Sequence, residues 1–367
     1  RTSWYRRNKM VQLDYPTDGT VISAGDHIDR VSFMLSNKLR LIYDNSLTTT
    51  NQNNYTENFF SSDNMTAVNM MYDSGSDYYY LLQVDDEIDD SNLTANWTTD
   101  TSTTGTATAS VTENADRIRC ATNATTDGDD ATATCTSDGT SPIDYYNSNN
   151  DCYFKFRLVM TGDSGNASDT VSGRFGLTDG TNTVWLETKS ASDGANLSDD
   201  SVWEVFINAA ANTADTYDDG VLDTADIDIS SVNLGNYYFV FQSVLDSNGA
   251  GGSVNSMYTD LYYLYSMGVG YGAGTITQTT ATSLSASSDI IISSVYDTIT
   301  EGETTTPSVS FNNGSNYTAG SSDVLQQNTN AGTQLKHKIT VTAPTTITPA
   351  GNKVFGRVDG YNAYYSA

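Results

Sequence analysis

The chain reads as all-β: an antiparallel β-sandwich of the jelly-roll kind, with a short N-terminal helical attachment region and a small C-terminal β domain. Three observations predict this. Asp151–Met160 puts Cys152, Phe154, Phe156, Leu158 and Met160 on one side and Lys155 and Arg157 on the other, the period-2 signature of a strand with one buried and one wet face. Tyr is abundant (24) and Pro scarce (5) among 367 residues, so β-formers stand where a helical protein would carry Leu and Ala. Gly, Ser, Thr, Asn and Asp cluster between the apolar runs and supply turns. Apolar content is only 37%, yet the aromatics recur periodically, which separates the chain from a disordered one.

From the N-terminus, residues 1–9 carry four of the 17 basic residues (Arg1, Arg6, Arg7, Lys9) and two aromatics. They read either as an arm that docks on an acidic neighbour or as a frayed terminus. Asp26–Asp44 is a helix by pattern: Ile28, Val31, Leu35, Leu39 and Ile42 recur at three- and four-residue steps, and Ser23 or Asp26 stands where a cap belongs. Its apolar stripe would bury against the sandwich or against the same helix of sister chains. Ala67–Tyr72 and Tyr78–Val84 read as short strands. Ala107–Thr112 and Arg117–Ala121 follow, the latter paired with Ala131–Thr136 across an Asp127-Gly128 turn. The central sheets continue with Val171–Leu177, Thr183–Thr188, Val202–Asn208, Asp226–Ile229, Tyr237–Leu245 and Met257–Tyr265, separated by Gly- and Asp-containing breaks. Gly268–Ser288 is Gly, Ser and Thr with little to bury and reads as a linker or a long edge. Ile290–Tyr296, Ser308–Phe311, Gln334–Val341 and Lys353–Tyr361 predict the last domain. The expected division is 1–90, 91–267, 268–288 and 289–367.

Net charge is −28. Such a field repels nucleic acid. It fits a surface kept from self-association by repulsion, calcium binding, or life in high salt. No apolar run reaches the length of a membrane span. The chain shows no signal peptide and opens at Arg1, as a processed form would.

Three cysteines allow at most one internal bridge. Cys120 and Cys135 lie symmetrically about Asp127-Gly128, so a hairpin would set them opposite one another; the alternative is three small buried thiols. Asp215, Asp219, Asp223 and Asp226 hold positions 1, 5, 9 and 12 of an EF-hand-like run, with Gly220 at the sharp turn and Tyr217 where an acid belongs. A bound Ca2+ and an acidic hydrated loop are the two readings. A weaker run of acids is Thr126–Asp130. Trp185 and Trp203 alternate against core positions, so core packing is the expectation for each; the alternative is that one of them faces outward, where a sugar ring could stack on it. Nine Asn-x-Ser/Thr sequons occur, at Asn54, Asn64, Asn92, Asn96, Asn123, Asn166, Asn196, Asn313 and Asn316, about what chance gives in so Asn- and Thr-rich a chain. They permit glycosylation in a suitable host.

Asn96-Trp97-Thr98, Phe154–Leu158, Phe175–Asn182 leading into Val184–Leu186, Asp226–Ser230 before Tyr237–Phe241, and a last strand ending at Tyr265 resemble the concanavalin-like (laminin-G-like) jelly-roll family over about half the chain. The tail from Ile290, with Gly332–Thr340, resembles small β modules at the ends of phage and viral fibre proteins. Together they are similar in plan to viral tail-fibre or spike proteins. That resemblance implies an extracellular, virion-surface homotrimer that contacts other virion subunits and host glycans. The family's glycoside hydrolases carry Glu-x-Asp-x-(x)-Glu on one strand, and no such run occurs here. Glu187 and Glu204 read as lone, solvent-facing carboxylates, and His27 and His337 as unconnected. The expectation is therefore a non-enzymatic protein. The alternatives are a cell-surface or filament subunit of a salt-adapted microbe, and a secreted glycan-binding or glycan-degrading protein.

Overall fold

Alternating apolar residues leave each strand one face to bury, and this chain buries them around two main cores. The computed structural model describes residues 52–57, 64–68, 70–73, 78–80, 83–85, 97–114, 117–126, 128–137, 149–165, 168–247, 255–269, 274–351 and 356–366. The helix expected over 26–44 and the basic arm lie outside the described residues.

In chain order, β1 (Gln52–Glu57), β2 (Met65–Val68), β3 (Met71–Asp73), β4 (Tyr78–Tyr80) and β5 (Gln83–Asp85) come first. Then come β6 (Trp97–Thr103), β7 (Thr108–Asn114), β8 (Arg117–Ala124), β9 (Ala131–Ser137), β10 (Cys152–Asp163) and β11 (Asp169–Thr178). They are followed by β12 (Thr183–Ser192), β13 (Asn196–Asn208), β14 (Thr213–Asp218), β15 (Val221–Asp228), β16 (Tyr238–Ser247) and β17 (Asn255–Gly268). The last six are β18 (Gly274–Gln278), β19 (Thr282–Thr298), β20 (Thr305–Ser310), β21 (Thr318–Ala319), β22 (Leu325–Val341) and β23 (Arg357–Ser366).

Two antiparallel sheets make the sandwich. One has eight strands, ordered β15-β14-β13-β10-β17-β8-β7 with β5 beside β17; the other has five, ordered β12-β11-β16-β9-β6. The chain changes sheet repeatedly, at β5 to β6, β6 to β7, β8 to β9, β9 to β10, β10 to β11, β12 to β13, β15 to β16 and β16 to β17, which is jelly-roll wiring. The fold class is the one the sequence predicts. Strand β10 lies in mid-sheet between β13 and β17. Its inward Phe156 meets Phe175 at 4.9 Å and Phe239 at 4.8 Å between ring centroids.

Three expectations are corrected. The 268–288 linker is instead β18 and the start of the 17-residue strand β19: a Ser/Thr-rich run with few apolar residues still pairs when neighbours offer free edges. The N-terminal region is not a separate unit, because β1 and β4 pair with β23 and β2 pairs with β18 in a ten-stranded sheet. The sandwich is thus inserted between β4 and β18 of a discontinuous second unit. The β8–β9 hairpin does not form either. β8 pairs with β7 and β17, while β9 pairs with β6 and β16 in the opposite sheet. Cys120, Cys135 and Cys152 are buried thiols with no disulfide between them, and Cys120 Sγ donates to the Phe241 carbonyl at 3.9 Å.

In the second unit His337 is buried against the Tyr361 ring at 4.4 Å, and burial pushes it down to about 3, so it is neutral at physiological pH. The segment after β22 reaches back to the sandwich. Ile347 packs with Tyr153, Phe206 and Met267 on the outer side of the eight-stranded sheet. Gly351 lies so close to Gly220 that a Cβ there would meet the Gly220 carbonyl oxygen.

Candidate functional site

The alternation that buries Phe154, Phe156 and Leu158 turns Lys155 and Arg157 to the outer face of the eight-stranded sheet. On the neighbouring β17, Tyr258 and Asp260 face the same way, opposite Ala121 and Arg119 of β8. The register between β10 and β17 shifts where Arg157 pairs with Tyr263 and Leu158 with Leu261. Tyr262 is the extra residue of this bulge. Bulges re-aim side chains, and this one adds a tyrosine to the face: Arg157 lies 4.5 Å from its ring centroid and Arg117 Nη1 donates to its hydroxyl at 3.3 Å. Arg119 covers the Tyr258 ring at 4.7 Å. Beyond the bulge Tyr263 and Tyr265 stack at 4.6 Å and 16°.

Four cations therefore meet four tyrosines on this face, and three carboxylates offset them, Arg117 and Arg119 sharing Asp260. Asp260, itself buried, accepts Arg119 through both oxygens at 2.7 Å and lies 3.4 Å from Arg117. Arg157 grips Asp200 at 2.8 and 2.9 Å. Lys155 reaches Glu204 at 2.9 Å. The sequence predicts Glu204 facing solvent, but it is fully buried, because it pairs with Lys155 on one side and Tyr217 on the other. Hydrogen bonding to Asp200 and Asp260 raises the Arg157 and Arg119 guanidinium groups. The outcome is a polar aromatic platform with no large net field. Ile347 covers one end of it.

A second group of charges lies where the two sheets part at one edge. Glu187 and Lys189 of β12 point between the sheets, toward β14 and β15. Lys189 Nζ is 3.9 Å from Glu187, 4.0 Å from Asp218 and 5.0 Å from the Trp203 ring centroid. Burial, then a carboxyl–carboxyl hydrogen bond with Asp223, pushes Glu187 from its ordinary 4.5 up to about 7, with Lys189 pulling the other way. Glu187 is thus half-buried and not the lone exposed carboxylate the sequence predicts. A raised carboxyl binds its proton more tightly folded than unfolded, so its stabilisation is full below 4.5 and fades as pH rises through about 7. Unfolding free energy should therefore fall by about 1–2 kcal/mol across that window, after allowance for solvent screening. Denaturant titration at several pH values checks this, and Glu187→Gln should remove that component.

The remaining candidates separate. Trp203 lies in the core beside Phe175, at 5.0 Å, with no exposed surface for a sugar ring to stack on. Trp185 is half-buried on the outer face of the five-stranded sheet, with Arg174 4.0 Å from its ring centroid. The EF-hand-like run is a β-hairpin of β14 and β15, so its acids do not converge. Asp215 accepts the Asp226 amide at 2.8 Å, Asp219 accepts the Val202 amide at 2.9 Å, and Asp223 turns toward Thr216 and Glu187. Pairing consumes the backbone that a calcium loop would turn inward. Among the described residues no three His, Cys, Asp or Glu side chains gather as a metal group. Of the sequons, Asn64, Asn196, Asn313 and Asn316 are exposed and Asn123 is half-buried on β8. Asn54 lies in β1, and Asn92, Asn96 and Asn166 fall outside the described residues. No helix among the described residues is long and apolar enough to cross a membrane.

No family model matches the chain, and no curated protein matches it. Solved structures do. The carbohydrate recognition domain of Emp46p matches with a TM-score of 0.29 at 10% identity, over 47% of this chain and 88% of that one; its potassium-bound and metal-free forms match as well. A legume lectin-like domain from Entamoeba histolytica has a TM-score of 0.27 at 10% identity, over 49% of this chain and 92% of that one. A putative secreted protein from Parabacteroides distasonis has a TM-score of 0.28 at 8% identity, over 86% of this chain and 100% of that one. At these scores none of the three decides what this chain binds or does.

Proposed function

We propose that the chain is a non-enzymatic glycan-binding protein that displays the tyrosine–arginine face of its sandwich, as a fibre or spike subunit on a virion surface, in a homotrimer. The observation that carries the binding reading is the bulge at Tyr262. It places a row of tyrosines among arginines held by carboxylates that offset most of their charge. Apolar C–H faces of a sugar stack on aromatic rings, and the fixed guanidinium and carboxylate groups meet its hydroxyls without a large desolvation cost. The fibre and trimer parts rest on the acidic charge and on the sequence resemblance of the segment from Ile290 to small β modules of fibre proteins.

Glycan-array binding by the full chain tests the first part. Tyr258→Ala with Tyr262→Ala should weaken the best ligand about tenfold or more, since each removes a stacking platform, while thermal unfolding stays cooperative. Equal binding by the double variant would remove the face from the account. Native mass spectrometry tests the assembly, and a monomer at micromolar concentration would exclude the trimer.

One observation favours a second reading, a glycan-degrading enzyme. Burial raises the Glu187 carboxyl to about 7 at the parted edge of the sandwich, and a carboxyl raised in this way is the general acid of glycoside hydrolysis. Release of reducing ends from a polysaccharide panel, abolished by Glu187→Gln, would establish it in place of the first.

A further inference from the structure

The outer face of the five-stranded sheet is built differently from the tyrosine face. One row of register neighbours crosses all five strands: Thr188, Arg174, Gln242, Thr134 and Asp100. Beside it Ser172 and Ser190 join hydroxyl to hydroxyl at 2.8 Å. Arg174 is the cation of this row. Its Nε donates to Gln242 Oε1 at 2.6 Å, and Gln242 Nε2 donates to Thr134 Oγ1 at 2.6 Å, so the guanidinium is oriented by a two-step relay. Its plane is fixed a second time by the Trp185 ring, 4.0 Å away.

What Arg174 lacks is a carboxylate. Lys155, Arg117, Arg119 and Arg157 each have one within 4 Å. Among the described residues none lies at that distance from Arg174, and burial alone acts on its guanidinium, lowering it. Asp100, the acid at the far end of the row, is three strands away, roughly 14 Å at ordinary strand spacing, which is beyond the screening length of physiological salt. In a chain of net charge −28 a half-buried, pre-oriented arginine without an acid is an incomplete pair. Its terminal nitrogens form the fork that takes a planar carboxylate through two hydrogen bonds. A single cation among hydroxyls suits one carboxylate on a hydroxylated ring better than a phosphate or sulfate, which gather several cations.

We propose that Arg174, Trp185 and the hydroxyl rows beside them form a second binding site, on the opposite side of the sandwich from the tyrosine face, for the carboxylate of an acidic sugar of the uronic-acid class. Arg174 grips the carboxylate, Trp185 backs the guanidinium, and Thr188 with the Ser172–Ser190 pair meets the ring hydroxyls.

The test is titration of the full chain with tetragalacturonate, followed by calorimetry and tryptophan fluorescence, alongside the methyl ester of the same oligosaccharide. The native chain should bind the acid and not the ester. Arg174→Met should weaken binding about tenfold, and Arg174→Lys, which keeps the charge without the fork, by at least about threefold. The Tyr258→Ala/Tyr262→Ala variant should bind the acid as the native chain does, which separates this site from the tyrosine face. Should Arg174→Met fail to fold, Arg174→Lys carries the comparison. No binding by the native chain, equal binding of the ester, undiminished binding by the Arg174 variants, or loss in the tyrosine variant would each overturn the proposal.

Discussion

Replacing Phe156 by alanine is expected to lower the unfolding free energy by about 4 kcal/mol, the usual range for a phenylalanine deleted from a close-packed core. Phe156 has no exposed surface. Its ring meets Phe175 edge-on, at 4.9 Å and 80°, and lies 4.8 Å from Phe239, so it joins the two sheets at their centre. Strands on both sides of β10 hold their register through backbone pairing, which limits how far the walls can collapse into the hole. Urea denaturation followed by tryptophan fluorescence measures the loss; Trp203, against Phe175, reports the same core. A cost below about 1 kcal/mol, the range of surface changes and mild core swaps, would show that β10 is not the centre of the packing. Phe156→Leu should recover much of the loss because it restores most of the volume.

The second large effect is expected from Lys155→Met. Glu204 is fully buried beneath Lys155, whose Nζ lies 2.9 Å from its carboxylate. Removing one partner of a buried pair leaves a charge with its desolvation uncompensated, at about 3–5 kcal/mol. Because Lys155 retains some exposure, the lower end of that range applies. One further result separates this cause from lost packing. The double variant Lys155→Met/Glu204→Leu should lie close to the native chain, because an apolar pair removes charge and counter-charge together. If the double variant is as unstable as the single one, the pair does not act as an ion pair. The bland alternative for Glu187 and Lys189 is related: charges turned inward at the parted edge of a sandwich deter strand addition by another chain.

Most of the strands could be read in the chain, and much of the site could not. Phe154, Lys155, Phe156 and Arg157 disclose the inside and outside of β10 by alternation alone, and the Asp179-Gly180 turn between β11 and β12 is equally plain. There Asp179 accepts the amides of Thr181, Asn182 and Asn233, which holds it well below the ordinary carboxylate range. The Tyr262 bulge has no local signature; the run Tyr262-Tyr263 hints at it only after the partner strand is known. Glu204 carries the sequence pattern of an outward residue, and it does face outward, but Lys155 and Tyr217 bury it. Asp215 to Asp226 matched an ion-binding spacing, yet Gly220 serves a two-residue hairpin with Asp219, both at positive φ. Glycine at a sharp turn is common to both designs, and only strand pairing distinguishes them.

The sequence by itself determined that this protein is built of strands, which side of each strand is apolar, and where most of them end, because these follow from side-chain period and turn chemistry within a few residues. Tertiary structure alone decided that β8 and β9 lie in opposite sheets, that β1 to β4 complete the last domain, and which charges meet. Those outcomes depend on which free edge each strand finds. Backbone hydrogen bonds are the same whatever the side chains, so the choice is made by the burial of two whole cores and not by any one segment.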